Sequence, residues 1–117
     1  MTNYNKVFLI GRLTKEPESK VTMSGVNLSR FTIAVNRIKK AGEESEADFI
    51  NVVVWRRLAE VAAQYLKKGQ LVAIEGELRI DKYERNGDER EWVEVVADNF
   101  QMLDRVSAEM PVGESVG

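Results

Sequence analysis

The chain has 117 residues, of which 44% are hydrophobic and 31% charged, and its formal net charge is -2. That length suits a single domain, and no apolar run approaches the roughly 20 residues of a membrane span, so we expect a soluble protein with no membrane partner. Cysteine and histidine are both absent, which excludes disulfides and removes the commonest catalytic base and metal ligand, so we expect a protein that is not an enzyme and binds no metal or cofactor.

Three strands are predicted in the first half of the chain. The run "VFLI" (residues 7–10) is continuously apolar, which predicts a strand covered on both faces. In "LSRFTIAVNR", Phe31, Ile33 and Val35 share one side, which predicts a second strand with one buried face. The stretch "FINVVVW" (residues 49–55) predicts the third.

One amphipathic helix is predicted next, over "RRLAEVAAQYLKKG". Its apolar side chains recur at spacings of three and four: Leu58, Val61, Ala62, Tyr65 and Leu66. Lys67 and Lys68 suit the negative end of the helix dipole, and Gly69 suits a left-handed cap. The pattern predicts a helix that ends at about residue 69.

A hairpin of two strands is predicted after the helix. In "QLVAIEGELRI" the even positions Val72, Ile74, Leu78 and Ile80 form an apolar face that we expect to be buried. A fifth strand is predicted over about residues 91–103. Asn86-Gly87 lies between the two strands and predicts a two-residue turn, because both turn positions require positive φ.

The order of three strands, one helix and two strands is typical of the OB-fold, a five-stranded Greek-key barrel with the helix between strands three and four. We therefore predict that residues 1–106 form an all-β domain that contains one helix. The last segment, "SAEMPVGESVG" (residues 107–117), lacks apolar periodicity, and we expect a flexible C-terminal tail.

Two aromatic residues on the third strand suggest a ligand for this barrel. Side chains alternate between the faces of a strand, so Phe49 and Trp55 share one face and the aliphatic Ile50, Val52 and Val54 share the other. We expect the aliphatic set inside the barrel and both rings outside it. Nucleobases stack on exposed rings with little dependence on sequence.

The alternative role for each of these aromatic rings is packing under a loop or at a subunit contact, and the same choice applies to Tyr83 and Trp92. Tyr83 lies on the parity opposite Leu78 and Ile80 and is a third candidate for base stacking. The parity of Trp92 is ambiguous, and we interpret this ring as packing. For Phe49 and Trp55, the shared parity and the neighbouring arginines favour the stacking role over packing.

The charge is unevenly distributed along the chain. Residues 1–40 carry eight Lys and Arg against two Glu, a balance of +6, whereas residues 41–117 carry nine against seventeen, a balance of -8. A folded chain with an acidic total can therefore still present a basic surface. The candidate phosphate contacts are Lys6, Arg12, Arg37, Lys39, Arg57 and Arg79. Each of them alone could equally be a solvated surface charge.

Over about residues 4–104 the chain resembles the bacterial-type single-stranded DNA-binding proteins. The resemblance rests on "NKVFLIGRLTKEPE", "RFTIAVNR", "ADFINVVVWRRLAEVAAQYLKKGQLVAIEGELR" and "EVVADNFQML", in that order. It implies an OB-fold homotetramer that binds single-stranded DNA without sequence preference and protects it in replication, recombination and repair. A cytoplasmic, nucleoid-associated location is implied as well.

The resemblance also assigns roles to particular residues. It implies that Phe49, Trp55 and Tyr83 stack on bases, and that Lys6, Arg57, Lys67 and Lys68 meet the DNA backbone. Two departures from the family pattern occur: a stacking aromatic is missing near Ile38 and Lys39, and Asp81 replaces a basic residue. We expect these departures to change the affinity or the mode of wrapping.

Relatives commonly end in an acidic, hydrophobic tip that recruits replication and repair proteins. This chain ends in "PVGESVG", so such recruitment is not expected of it. Two other functions stay open at this point. One is an OB-fold module that binds RNA or joins a protein assembly, and the other is a carboxylate-dependent hydrolase, for which the sequence shows no cleft.

Overall fold

The structure is a computed structural model that describes residues 3–38, 41–42 and 46–104. This part of the chain contains six strands and one helix. Their bounds are β1 Val7–Leu13, β2 Glu18–Val21, β3 Asn27–Asn36, β4 Ala47–Trp55, α1 Arg56–Tyr65, β5 Leu71–Arg85 and β6 Asp88–Met102. Lys39 and the predicted boundary between residues 106 and 107 lie outside the described residues.

Five of the strands close into a barrel. The sheet order is β1-β5-β6-β4-β3-β2, and β1 also pairs with β3 through Arg12 and Leu13, which joins the two sides. All pairings are antiparallel except that of β4 with β6. The prediction of an all-β OB-fold with one helix is confirmed. The additional short strand β2 lies outside the ring, paired with β3, so the helix lies between the third and fourth strands of the barrel.

The barrel interior is filled by the aliphatic faces that the alternation predicts. Ile33, Val52, Val54, Val72 and Ile74 are completely or almost completely buried there. The helix α1 packs against β3 and β4, and its buried side chains are Ala59 and Ala62. Burial of a Val, Leu or Ile side chain stabilises a fold by about 1.5–3 kcal/mol, so this cluster holds the barrel closed.

The helix differs from its prediction at the C-terminal end. It ends at Tyr65, because Leu66 has extended backbone angles (φ -80°, ψ 138°) and turns its side chain into the core. Lys67 and Lys68 therefore follow the helix and do not lie in its last turn. Gly69 has a φ of +86°, as a left-handed residue should, but it belongs to a separate turn closed by the Gln70 amide and the Lys67 carbonyl.

A β-bulge in β6 changes which of its side chains face the core. Asn99 pairs with Glu75 and Ala97 pairs with Gly76, so Asp98 is left without a partner on β5. After Asp98, the even-numbered residue Phe100 faces the core. Before Asp98, the odd-numbered residue Ala97 faces the core. One extra residue reverses the alternation in this way.

Beyond the bulge, β5 and β6 leave the barrel as a two-stranded arm that ends at Asn86 and Gly87. Both turn residues have positive φ, +54° and +83°, so the predicted hairpin is confirmed. Leu78 and Ile80 were expected to be buried, and that expectation is wrong. They do point to the same side as Val72, but no other strand or helix of the described residues covers that side along the arm.

The first strand also departs from its prediction, because it is covered on one face only within the described chain. Leu9 packs against the core, while Phe8 and Ile10 are exposed on the other side. Residues 7–11 pair with β5 along one edge, and the described residues provide no strand for the other edge. In the described chain, no helix has the length and apolar character required to cross a membrane.

Candidate nucleic-acid interface

The side of β2, β3, β4 and β6 that points away from the core is referred to here as the outer face. On β4, Phe49 and Trp55 both lie on the outer face, and 68% and 37% of their surfaces are exposed. The alternate residues Val52 and Val54 are buried in the core, as the alternation requires. The two rings are six residues apart, which spans about 20 Å along an extended strand.

Trp55 and Phe49 have different neighbours on the adjacent strand β3. Trp55 lies beside Leu28 of β3, a buried residue that supports the indole from the sheet. Phe49 lies beside Ala34, whose methyl group covers little of the ring. Between the two rings Val53 is buried although it belongs to the outer face, so the centre of this face is packed and its two ends carry the exposed rings.

Tyr83 and Trp92 extend the outer face onto the arm. Trp92 pairs with Asp81, and Tyr83 pairs with Arg90 two positions nearer the tip, so both rings project on the same side. They are 43% and 41% exposed. The bulge at Asp98 places Trp92 on this side of the sheet. The sequence does not reveal the bulge, so the side on which Trp92 lies could not be predicted from alternation alone.

A buried ionic group supports Trp92. Its indole N–H donates a hydrogen bond of 3.0 Å to Oε2 of Glu94, which is only 5% exposed. The same oxygen lies 3.5 Å from Nε of Arg30, across the sheet on β3. That Nε is buried and makes no hydrogen bond within the described residues. Arg30, Glu94 and the indole N–H therefore form one polar cluster.

Two of the predicted phosphate contacts are already held by carboxylates. Arg12 donates to Asp104 at 2.7 Å and to the Gly69 carbonyl at 3.0 Å. Arg37 donates to the two carboxylate oxygens of Asp48 at 2.8 and 3.1 Å. This contact raises the pKa of Arg37 and lowers the pKa of Asp48, chiefly through the hydrogen bonds between the two side chains.

Two further candidates make looser ion pairs. Lys6 lies 3.3 Å from Glu75, and the hydrogen bond between them raises the pKa of the lysine above its ordinary value. Arg79 lies 3.7 Å from Glu77 on the same strand. Exposed pairs of this kind contribute little to stability, so a phosphate can replace the carboxylate at small cost.

The remaining candidates are exposed and carry no salt bridge within the described residues: Arg57, Lys67 and Lys68. Arg57 is the second residue of α1, two residues after Trp55, and a cation in the first turn opposes the helix dipole. Helix stability therefore does not explain this residue. Arg57 follows the C-terminal end of β4, where Trp55 lies, whereas Lys6 lies just before β1 and pairs with Glu75 of β5.

Three cations that the sequence pattern did not select lie beside Trp92. Lys15, Lys20 and Arg30 line two shallow depressions of the outer face beside Trp92, with volumes of about 180 and 370 Å³. Alternation had already placed Arg30 on the outward side of β3, which is the signal that could have identified it. The position of Lys20 depends on β2, which was not predicted. Among the described residues, no acidic cluster could hold a metal ion.

A small closed barrel that exposes several aromatic rings along one sheet face, with cations beside them, is characteristic of OB-fold proteins that bind single-stranded nucleic acids. Comparison with known proteins identifies the group within that class. The chain belongs to the Single-strand binding protein family, which matches it over residues 4–103.

Individual relatives agree with that assignment. Single-stranded DNA-binding protein 2 of Streptococcus agalactiae serotype V is 52% identical over 102 residues, which cover 86% of this chain and 78% of that protein. The Single-stranded DNA-binding protein of Treponema pallidum is 45% identical over 108 residues, covering 91% and 61%. The solved Plasmodium falciparum SSB complex with ssDNA superposes with a TM-score of 0.82 at 26% identity, covering 89% of this chain and 98% of that one.

Proposed function

We propose that this protein binds single-stranded DNA without sequence preference and protects it, and that it performs no catalysis. Bases stack on Phe49, Trp55 and Tyr83, while lysines and arginines meet the phosphates. Family membership over residues 4–103 supports the ligand, and relatives of 45–52% identity carry it in their names. Replication, recombination and repair are the processes in which such a protein acts.

The observation that carries the proposal is the exposure of Phe49 and Trp55 on one sheet face. A monomeric barrel gains nothing by leaving two large rings in water, because burying each would stabilise the fold by about 1.5–3 kcal/mol. Stacked bases can recover that free energy at roughly 1–3 kcal/mol each. Every base offers a π-face, so the contact does not select a sequence.

The cations supply the salt-dependent part of the binding. The side-chain cations of Arg57, Lys67 and Lys68 form no salt bridge within the described chain and can bind a phosphate directly, although the backbone N–H of Lys68 donates to the Glu16 carboxylate at 2.9 Å. Lys6, Arg12, Arg37 and Arg79 must first release an acidic neighbour. Lys39 stays a prediction from the sequence. The phosphate contacts release counterions, so affinity should fall as salt is added.

A homotetramer is the proposed assembly. The open edge of residues 7–11 presents backbone hydrogen-bonding groups together with the exposed side chains of Phe8 and Ile10. Proteins seldom leave such an edge open, because it invites pairing with another chain. A second copy of β1 would satisfy the edge and cover part of both apolar side chains, which joins two copies into a dimer. The association of two such dimers into the tetramer is proposed from the resemblance to the family and not from this edge.

Titration with oligo-dT tests the proposed function. Tryptophan fluorescence should fall as oligo-dT is added at low salt, the change should reverse as salt is raised, and duplex DNA should have little effect. An unchanged signal together with no shift in the anisotropy of a labelled oligonucleotide would rule out the proposal. Equal or tighter binding to oligo-rU would favour RNA as the ligand instead.

A further inference from the structure

We infer that Trp92 is a base-stacking platform, and that Glu94 is the positioning residue that fixes its indole for this purpose. The inference rests on the proposed function and adds a contact that the sequence pattern had assigned to packing. The ligand is a nucleobase of a single-stranded chain, seated beside Trp92 in the depressions of the outer face.

The surroundings of Trp92 are those of a binding position. Both depressions, of about 370 and 180 Å³, are lined by Trp92 together with Arg30 and Glu18. The smaller one also reaches Asn51 and Thr32, whose side chains are joined by a hydrogen bond of 3.1 Å. The lining thus combines the indole and the buried apolar side chains of Leu28, Phe31 and Val52 with polar groups, which suits a flat ring with hydrogen-bonding edges.

The location agrees with the path of a bound strand. Asn51 lies on β4 between Phe49 and Trp55, so the smaller depression lies between the two exposed rings. A nucleotide chain that follows β4 from one ring to the other would pass this position. In the direction of the arm, the next exposed ring after Trp92 is Tyr83. Tyr83 lies on β5, the strand paired with β6, two positions nearer the tip. Trp92 therefore connects the rings of β4 with the ring of the arm.

Glu94 explains why the indole is held ready for a base. Its Oε2 accepts the indole N–H at 3.0 Å, and the carboxylate is almost fully buried against Arg30. A buried carboxylate is costly unless it is paired and hydrogen-bonded, so this group is built into the sheet. The polar end of the indole is satisfied by the protein, and its 41% exposed surface stays available to a ligand.

The chain contains two tryptophans, Trp55 and Trp92, so a single substitution isolates the signal of Trp92. In the Trp55→Phe variant, which keeps a ring at that site, Trp92 is the sole emitter. Unlabelled oligo-dT is titrated while tryptophan emission is recorded, and a parallel titration with labelled oligo-dT reports occupancy by anisotropy. Emission from Trp92 is expected to fall in proportion to occupancy.

Affinity provides the second measurement, in the otherwise natural chain. Trp92→Ala should weaken oligo-dT binding by about five- to hundredfold, the range expected for one stacked base, and Trp92→Phe should retain most of the affinity. Full occupancy with unchanged Trp92 emission and an unaltered affinity of Trp92→Ala would overturn the inference and leave the proposed function intact. Failure of the natural chain to bind oligo-dT would overturn both.

The positioning role of Glu94 has its own readout. Glu94→Gln keeps an acceptor for the indole N–H, so the emission anisotropy of Trp92 in the Trp55→Phe background should stay close to its original value. Glu94→Val has a similar volume without the acceptor, and it should lower that anisotropy and weaken binding severalfold. A fall in melting temperature with unchanged anisotropy and affinity would assign Glu94 to folding alone and overturn its positioning role.

Discussion

Arg37 and Asp48 are joined by two hydrogen bonds, of 2.8 and 3.1 Å, one residue before the exposed ring of Phe49. A cation proposed to meet DNA is thus occupied by a carboxylate in the free protein. The hydrogen bonds to Arg37 lower the pKa of Asp48, so this carboxylate stays ionised to a lower pH than an ordinary aspartate does. DNA must compete with it, which makes Asp48 a natural point at which to test the electrostatic part of binding.

Asp48→Asn should tighten the binding of oligo-dT at low salt severalfold, because Arg37 then loses its charged partner Asp48 and keeps only the longer ion pair with Glu46, at 3.4 Å, which a phosphate can replace more easily. The plot of log affinity against log salt should become steeper by up to about 0.7, the value for one phosphate contact on a single strand. Glu91→Gln removes the same charge on the opposite face of the arm, beside Lys82, and should change neither quantity. Equal effects of the two variants would show that only net charge matters.

Trp55→Ala should weaken oligo-dT binding about tenfold, because one stacking surface is lost, and should leave the oligomeric state unchanged. Tyr65→Ala is the matched control. Tyr65 is as exposed as Tyr83, at 43%, but it lies at the end of α1 and not on the outer face. Light scattering and titration on the same samples separate the two effects. Dissociation of Trp55→Ala without a loss of affinity would identify the ring as an interface residue.

Phe8→Glu should dissociate the proposed oligomer while the barrel stays folded, because a charge would have to be buried against the second copy. Val21→Glu introduces the same charge at a residue of equal exposure, 65%, on the short strand β2. It should leave the assembly intact. Light scattering gives the mass, and circular dichroism checks the fold. If Phe8→Glu retains the mass of the natural chain, the β1 edge is not the contact.

Arg56→Gly should stabilise the fold by about 1 kcal/mol, because Arg56 has a φ of +58°, which is strained for any residue with a Cβ. Arg56→Ala removes the same side chain but keeps the strain, so it should be less stable than the glycine variant. Urea denaturation followed by circular dichroism measures both. A glycine variant less stable than the alanine variant would mean that backbone freedom outweighs the strain.

Much of the fold follows from alternation and turn chemistry. The face of β3 that carries Phe31 and Ile33 is buried, and the turn at Asn86 and Gly87 has the required angles. These features depend on neighbouring residues, which the sequence displays directly. The exposure of Phe49 and Trp55 followed for the same reason, since a run of aliphatic residues between them could face only the core.

The remainder depends on contacts between distant segments. The ion pairs of Arg12 with Asp104 and of Lys6 with Glu75 join residues far apart in the chain, so no local pattern reveals that these cations are occupied. The orientation of Trp92 depends on an unpaired residue in the register of β5 and β6. The burial of Leu78 was overestimated because periodicity gives the direction of a side chain and not the presence of a covering element.

The unpaired Asp98 also makes the arm sensitive to chain length. Opposite it, β5 carries Gly76, where a Cβ atom would lie 2.2 Å from the carbonyl oxygen of Val96, so the two backbones are tightly fitted at this point. Removing one residue from β6 here would reverse the alternation of the part of the strand that lies in the arm. Its valines would then lie on the outer face, and the indole of Trp92 would lie on the opposite side. The side of the arm on which the indole lies therefore depends on the number of residues in this segment as well as on their identity.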